Sequence, residues 1–79
     1  MGEITVYSKP SCVQCTATYR ALDSAKIPYR VVDLTQVPAA LEYVTDELGY
    51  GQAPVVVVDD QNHWSGFRPD MISELAKRV

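Results

Sequence analysis

Short apolar runs punctuate this chain, and between them lie stretches that are polar and helix-friendly. Ile4-Thr5-Val6-Tyr7 reads as a short buried strand. Ser8-Lys9-Pro10-Ser11 follows, with Ser11 suited to cap a helix and Pro10 discouraging an earlier start. From Cys12 to about Lys26 the composition favours helix, with Ala17, Ala21, Leu22 and Ala25 falling on one face. Pro28 ends that element, and Tyr29-Arg30-Val31-Val32-Asp33 reads as a second strand. Pro38 suits the first turn of a second helix, with Leu41, Val44 and Leu48 as its apolar stripe and Gly49 as its C-cap. Val55 to Val58 form a continuous β-branched run, as expected of a strand buried on both faces. Asp59-Asp60-Gln61-Asn62 is turn-like and short enough to make a hairpin into His63-Trp64-Ser65. Pro69 and Asp70 open a last helix whose stripe is Ile72, Leu75, Ala76 and Val79.

The resulting order is β-α-β-α-β-β-α, an α/β class. A crossover helix joins the first two strands, so they should be parallel and right-handed. The last two form a hairpin and should be antiparallel. A four-stranded mixed sheet with helices on both faces follows. At 79 residues, positions 1–79 are expected to form one domain. A chain this short buries only about 60–65% of its unfolded surface, so its core is thin. A formal net charge of −3 offers no electrostatic footprint for nucleic acid or an anionic membrane. The apolar runs are too short to span a bilayer, and Met1-Gly2-Glu3 does not resemble the start of a signal sequence. A cytoplasmic protein is expected.

Cys12 and Cys15 are the only cysteines, and they sit where the first strand gives way to the first helix. In the cytoplasm a lone C-x-x-C is catalytic or metal-binding more often than structural. A disulfide closing so small a loop would constrain the unfolded chain little. A closed zinc site wants four ligands, and two sulfurs plus the distant His63 do not supply them, so no metal is expected. Thiol–disulfide exchange fits better. Helix N–H groups and the positive helix end favour a thiolate at Cys12, which makes it the expected nucleophile. Its attack gives a mixed disulfide, and Cys15, one turn inside, resolves it. Lys9 precedes the active turn, where it either favours the thiolate or is simply a solvated surface lysine. Val13 and Gln14, between the cysteines, should be exposed on a contact face. His63 reads as a turn-edge residue. Tyr7, Tyr19, Tyr29, Tyr43 and Tyr50 read as packing or amphipathic surface residues.

Val6-Tyr7-Ser8-Lys9-Pro10-Ser11-Cys12 resembles the start of a glutaredoxin, within the thioredoxin superfamily. Two further segments, Cys12-Val13-Gln14-Cys15 and Trp64-Ser65-Gly66-Phe67-Arg68-Pro69-Asp70, are similar to those of the NrdH-redoxins. These are small electron donors of class Ib ribonucleotide reductases. Gln52-Ala53-Pro54 and the spacing between segments also fit, so the resemblance covers essentially the whole chain. It implies a thioredoxin/glutaredoxin-like fold and a monomer whose redox group is its own disulfide, with no other cofactor. It further implies electrons drawn from NADPH through thioredoxin reductase and delivered to the ribonucleotide reductase large subunit.

Glutaredoxins typically hold glutathione with a Thr-Val-Pro segment and an acidic pair near the last helix. Here Gln52-Ala53-Pro54 and Phe67-Arg68 stand in those places, a departure that disfavours glutathione. A glutathione-dependent glutaredoxin is the alternative reading, and a metal-binding or adaptor module is a third.

The residues alone suit Pro54 as a trans proline opening the valine strand. The resemblance implies instead a cis proline that abuts the cysteines and leaves the Ala53 backbone free to pair with an extended substrate. Trp64 to Asp70 has two compatible readings. In one, Gly66 makes a tight turn, Pro69 and Asp70 start the helix, and Ser65 and Arg68 tie the loop by hydrogen bonds. In the other, Trp64 and Phe67 lie beside the cysteines and form part of a docking surface.

Overall fold

A computed structural model describes residues 4–78. Met1, Gly2 and Glu3 lie outside that range, as does Val79, the expected end of the last apolar stripe. The strands are β1 (Ile4–Ser8), β2 (Tyr29–Asp33), β3 (Val55–Asp59) and β4 (Asn62–Ser65). The helices are α1 (Val13–Ser24), α2 (Pro38–Glu42), which runs on into a π-helical turn (Tyr43–Glu47), and α3 (Pro69–Arg78). Along the chain they follow the expected β-α-β-α-β-β-α order.

The sheet runs β2-β1-β3-β4, with β1 parallel to β2 and antiparallel to β3, and β3 antiparallel to β4. Register decides what lies on each face. Val6 pairs with Val56, which pairs with Trp64, and these side chains join Ile4, Leu22, Ile27, Ile72 and Leu75 in one core beneath α1 and α3. Tyr7 and Val55, one position along, point to the opposite face. There the ring of Tyr7 meets Tyr43 at 6.0 Å, and Val44 is fully buried. Helices therefore cover both faces, as the β-branched run of β3 requires. Among the described residues no helix is long and apolar enough to cross a membrane.

Helix α1 starts and stops differently from expectation. Its buried stripe is Cys15, Thr18 and Leu22, with Ala17, Ala21 and Ala25 only partly buried. Thr18 is tolerated there because its hydroxyl donates to the Gln14 carbonyl at 2.9 Å. The helix ends before Pro28 is reached. Lys26 adopts a left-handed φ of 59°, its N–H bonds to Asp23 O, and Ile27 N–H bonds to Leu22 O. That is a complete Schellman closure, made with lysine in the place where glycine is usual.

The second helix departs furthest. Only one α-helical turn forms before the winding loosens, and Leu48 N–H reaches back five residues to Tyr43 O. The Thr45 hydroxyl donates to Leu41 O at 2.9 Å, in competition with the ordinary helical bond. The looser winding rotates the stripe, so Val44 is buried while Leu41 stays exposed and Leu48 half-buried. Gly49, with φ 78°, ends the element as expected.

Candidate active site

Strand β1 delivers the chain to the site through Lys9-Pro10-Ser11. Ser11 takes a left-handed φ of 58° and does not cap α1. The cap is Cys12, in an extended conformation, whose Sγ accepts the Cys15 N–H at 3.1 Å. This corrects the expectation for Ser11: the reversed backbone turns its neighbour's sulfur onto the helix end. Cys12 and Cys15 are joined in a disulfide with Cα atoms 5.2 Å apart. Cys15 is only 1% exposed, whereas Cys12 is half-buried. One sulfur therefore faces solvent and the other lies behind it against the core. In the reduced protein the same N–H and the helix end would favour negative charge on Cys12.

A second wall stands opposite. The Ala53–Pro54 bond is cis, and Pro54 is buried just ahead of β3. An open cleft of about 390 Å³ runs between Gly51-Gln52-Ala53 and the turn that carries Lys9, Ser11, Cys12, Val13 and Gln14. Lys9 is exposed and lines this cleft and also its neighbour on the Cys15 side, both of which Cys12 lines as well. His63 lies elsewhere, with its Nδ1 hydrogen-bonded to the Tyr50 hydroxyl at 2.8 Å. No group of three or more potential metal ligands gathers among the described residues.

The segment from Trp64 to Asp70 divides sharply. Trp64, expected at a contact surface, is 5% exposed and part of the core. The cause is register: opposite Val56 in the sheet, it points inward beneath α1 and α3. Phe67 does remain exposed, as does Val13, which is 84% exposed. The two border an open groove of about 570 Å³ along Thr16, Ala17, Arg20, Ala21 and Ser24.

The loop itself is tied down as its polar residues suggest. Ser65 Oγ donates to Gln52 O at 3.2 Å, and Gly66 N–H donates to Pro54 O at 2.7 Å. Gly66 needs its glycine, since φ is 84°. Arg68 grips Asp70 through two hydrogen bonds, of 3.2 and 3.0 Å. Those bonds hold the Asp70 carboxyl below its usual range and raise the Arg68 guanidinium further.

One connection has no counterpart in the sequence reading. Gln14, between the cysteines, accepts the Phe67 N–H on its Oε1 at 3.0 Å, across a separation of 53 positions. It joins the two segments that carry the resemblance.

Residues 4–64 match the Glutaredoxin family model. The Glutaredoxin-like protein NrdH of Escherichia coli is 43% identical over 72 residues, covering 91% of this chain and 86% of that protein. The protein of the same name from Lactococcus lactis subsp. cremoris is 37% identical over 73 residues, covering 92% and 99%. In three dimensions the chain is similar to the glutaredoxin-like NrdH-redoxin from Escherichia coli, a protein described as having a thioredoxin-like activity profile. That match has a TM-score of 0.86 at 42% identity and covers 94% of this chain and 95% of the other. A thioredoxin/glutaredoxin fold, a C-x-x-C disulfide at its helix N-terminus and these relatives together show that the chain belongs to the glutaredoxin family and, within it, to the glutaredoxin-like NrdH redoxins.

Proposed function

We propose that this protein is a cytoplasmic dithiol–disulfide carrier that passes electrons from thioredoxin reductase to a class Ib ribonucleotide reductase. The observation that carries the chemistry is the inequality of the two sulfurs, one at the surface and one 1% exposed behind it. In the forward half-reaction the Cys12 thiolate attacks a sulfur of the partner's disulfide and displaces the other as thiolate. The Cys15 thiolate then attacks the Cys12 sulfur, releasing the partner as a dithiol and leaving the Cys12–Cys15 disulfide. Two electrons and two protons have moved to the partner. Thioredoxin reductase returns two electrons from NADPH by the reverse sequence, and the disulfide itself is the redox group.

Family membership supports ribonucleotide reductase as the acceptor. Against glutathione as the electron source stand Gln52-Ala53-Pro54 along the cleft and Phe67-Arg68 ahead of α3. The nearby carboxylate, Asp70, is already engaged by Arg68. The test is NADPH oxidation with purified thioredoxin reductase and a disulfide acceptor, alongside a parallel assay with glutathione and glutathione reductase. Turnover in the first and none in the second is expected. Electron flow only in the second, or saturable glutathione binding by calorimetry, would assign the protein to the glutathione-dependent glutaredoxins.

A further inference from the structure

The loop from Ser65 to Phe67 is anchored by three successive residues to two different parts of the site. Ser65 and Gly66 bond to Gln52 O and Pro54 O, on the wall opposite the cysteines. Phe67 alone is held from the cysteine side, by the Gln14 side chain at 3.0 Å. A Cβ at position 66 would come within 3.3 Å of that same Gln14 Oε1. The φ of 84° at Gly66 and the approach of Gln14 therefore make one arrangement, in which a glycine lets the amide oxygen reach the next N–H.

Gln14 can make this bond because of where it stands. It is the second residue of α1, so its backbone is fixed by the helix that Cys12 caps, and its carbonyl is taken by Thr18. Its amide oxygen reaches the backbone of Phe67, which with Val13 borders the groove along α1. Gln14 belongs to the turn that carries the sulfurs, whereas Phe67 belongs to the loop that enters α3. Among the described residues this is the one hydrogen bond from the C-x-x-C turn to that loop.

We propose that Gln14 is a positioning residue that fixes Phe67 relative to the Cys12 sulfur, so that turn and loop present one rigid surface to protein disulfide partners. The proposal rests on the reading that macromolecular partners touch the Phe67 side of the site. A large partner spans both Cys12 and Phe67 and senses their relative position. A small disulfide reaches Cys12 alone and does not. Gln14 thereby separates discrimination among partners from thiol chemistry. The other two anchors of the loop remain when the Gln14 bond is lost, so its removal should loosen Phe67 without unfolding the domain.

The test compares Gln14→Met, which keeps the length of the side chain but has no comparable acceptor, with Gln14→Glu, which keeps an acceptor oxygen. Three measurements are made: amide exchange at Phe67 by NMR, reduction by thioredoxin reductase, and reaction of the reduced protein with the small disulfide 5,5′-dithiobis(2-nitrobenzoic acid). In Gln14→Met the loss of one exposed hydrogen bond should speed Phe67 exchange about three- to tenfold and raise KM for the reductase by a similar factor, with kcat and the small-disulfide rate within about twofold. Gln14→Glu should restore Phe67 protection and KM, while its negative charge slows the thiol reactions.

Unchanged Phe67 exchange in Gln14→Met overturns the proposal. So does an equal loss of rate towards the reductase and towards the small disulfide. A wild-type protein that thioredoxin reductase ignores refutes only the electron-source reading. Insulin disulfides then serve as the macromolecular partner, and the same comparison decides the role of Gln14.

Discussion

The cap of α1 offers the sharpest check on the geometry of the site. Ser11 is the residue whose type suits an N-cap, yet the structure gives the task to the Cys12 sulfur, 3.1 Å from the Cys15 N–H. The two assignments predict opposite mutational patterns. Removing a side-chain cap costs about 0.5–2 kcal/mol, whereas a surface change that breaks nothing stays within about 0.5 kcal/mol. With reductant present no variant has a disulfide, so Cys12→Ala and Cys12→Ser differ chiefly in whether an acceptor remains at the cap. Cys12→Ser should be the more stable by about 1 kcal/mol, equivalent to about 4–8 °C in Tm for a domain of this size. Ser11→Ala, an exposed change that keeps the same left-handed backbone, should match the wild type within about 0.5 kcal/mol. Urea and thermal unfolding followed by circular dichroism measure all three. Coincident curves for the two Cys12 variants, with Ser11→Ala lower by about 1 kcal/mol, would refute the assignment.

Cys15→Ser should accumulate a covalent complex with a protein disulfide substrate, seen by non-reducing mass spectrometry, while Cys12→Ser should not; the reverse pattern would exchange their roles. Lys26→Gly should stabilise the protein by about 0.5–1 kcal/mol, because a left-handed L-residue costs about 1–2 kcal/mol and glycine gives back part of that as unfolded-state entropy. Its urea midpoint should rise with the slope unchanged, and an unchanged or lower midpoint would count against the Schellman closure. Arg68 holds the Asp70 carboxyl below its ordinary range, so the pair's contribution is present above the unfolded carboxylate range. It is lost as pH falls through the folded value. The urea midpoints of wild type and Asp70→Asn should therefore differ most near neutrality and converge in acid, and a gap that widens on acidification would contradict this.

Much of the fold could be read from period and punctuation. The four valines of β3, the hairpin turn at Asp59–Asn62 and the proline starts of α2 and α3 are local signals, and each formed where it was expected. The differences arise where several residues compete or where distant ones meet. Ser11 is a good capping residue by type, but its left-handed backbone cannot be read from composition. The π-helical turn coincides with a bond from the Thr45 hydroxyl to the Leu41 carbonyl, and an apolar stripe reveals neither. Trp64 reads as a contact residue, and only the register that sets it opposite Val56 turns it into the core. The division between an exposed and a shielded sulfur was legible because helix position alone implies it. The bond from Gln14 to Phe67 was not, because no local rule couples positions 53 residues apart. The one hint was Gly66, whose turn is readable although its neighbour across the site is not.

In the proposed role, Cys12 and Cys15 carry electrons between two protein partners. Its most direct test is deoxyribonucleotide formation by a purified class Ib ribonucleotide reductase supplied with NADPH, thioredoxin reductase and this protein as the only dithiol. Sustained turnover with one NADPH consumed per deoxyribonucleotide is expected, and none when Cys12→Ser is substituted. Turnover that requires glutathione and glutathione reductase, or that persists without Cys12, would contradict it.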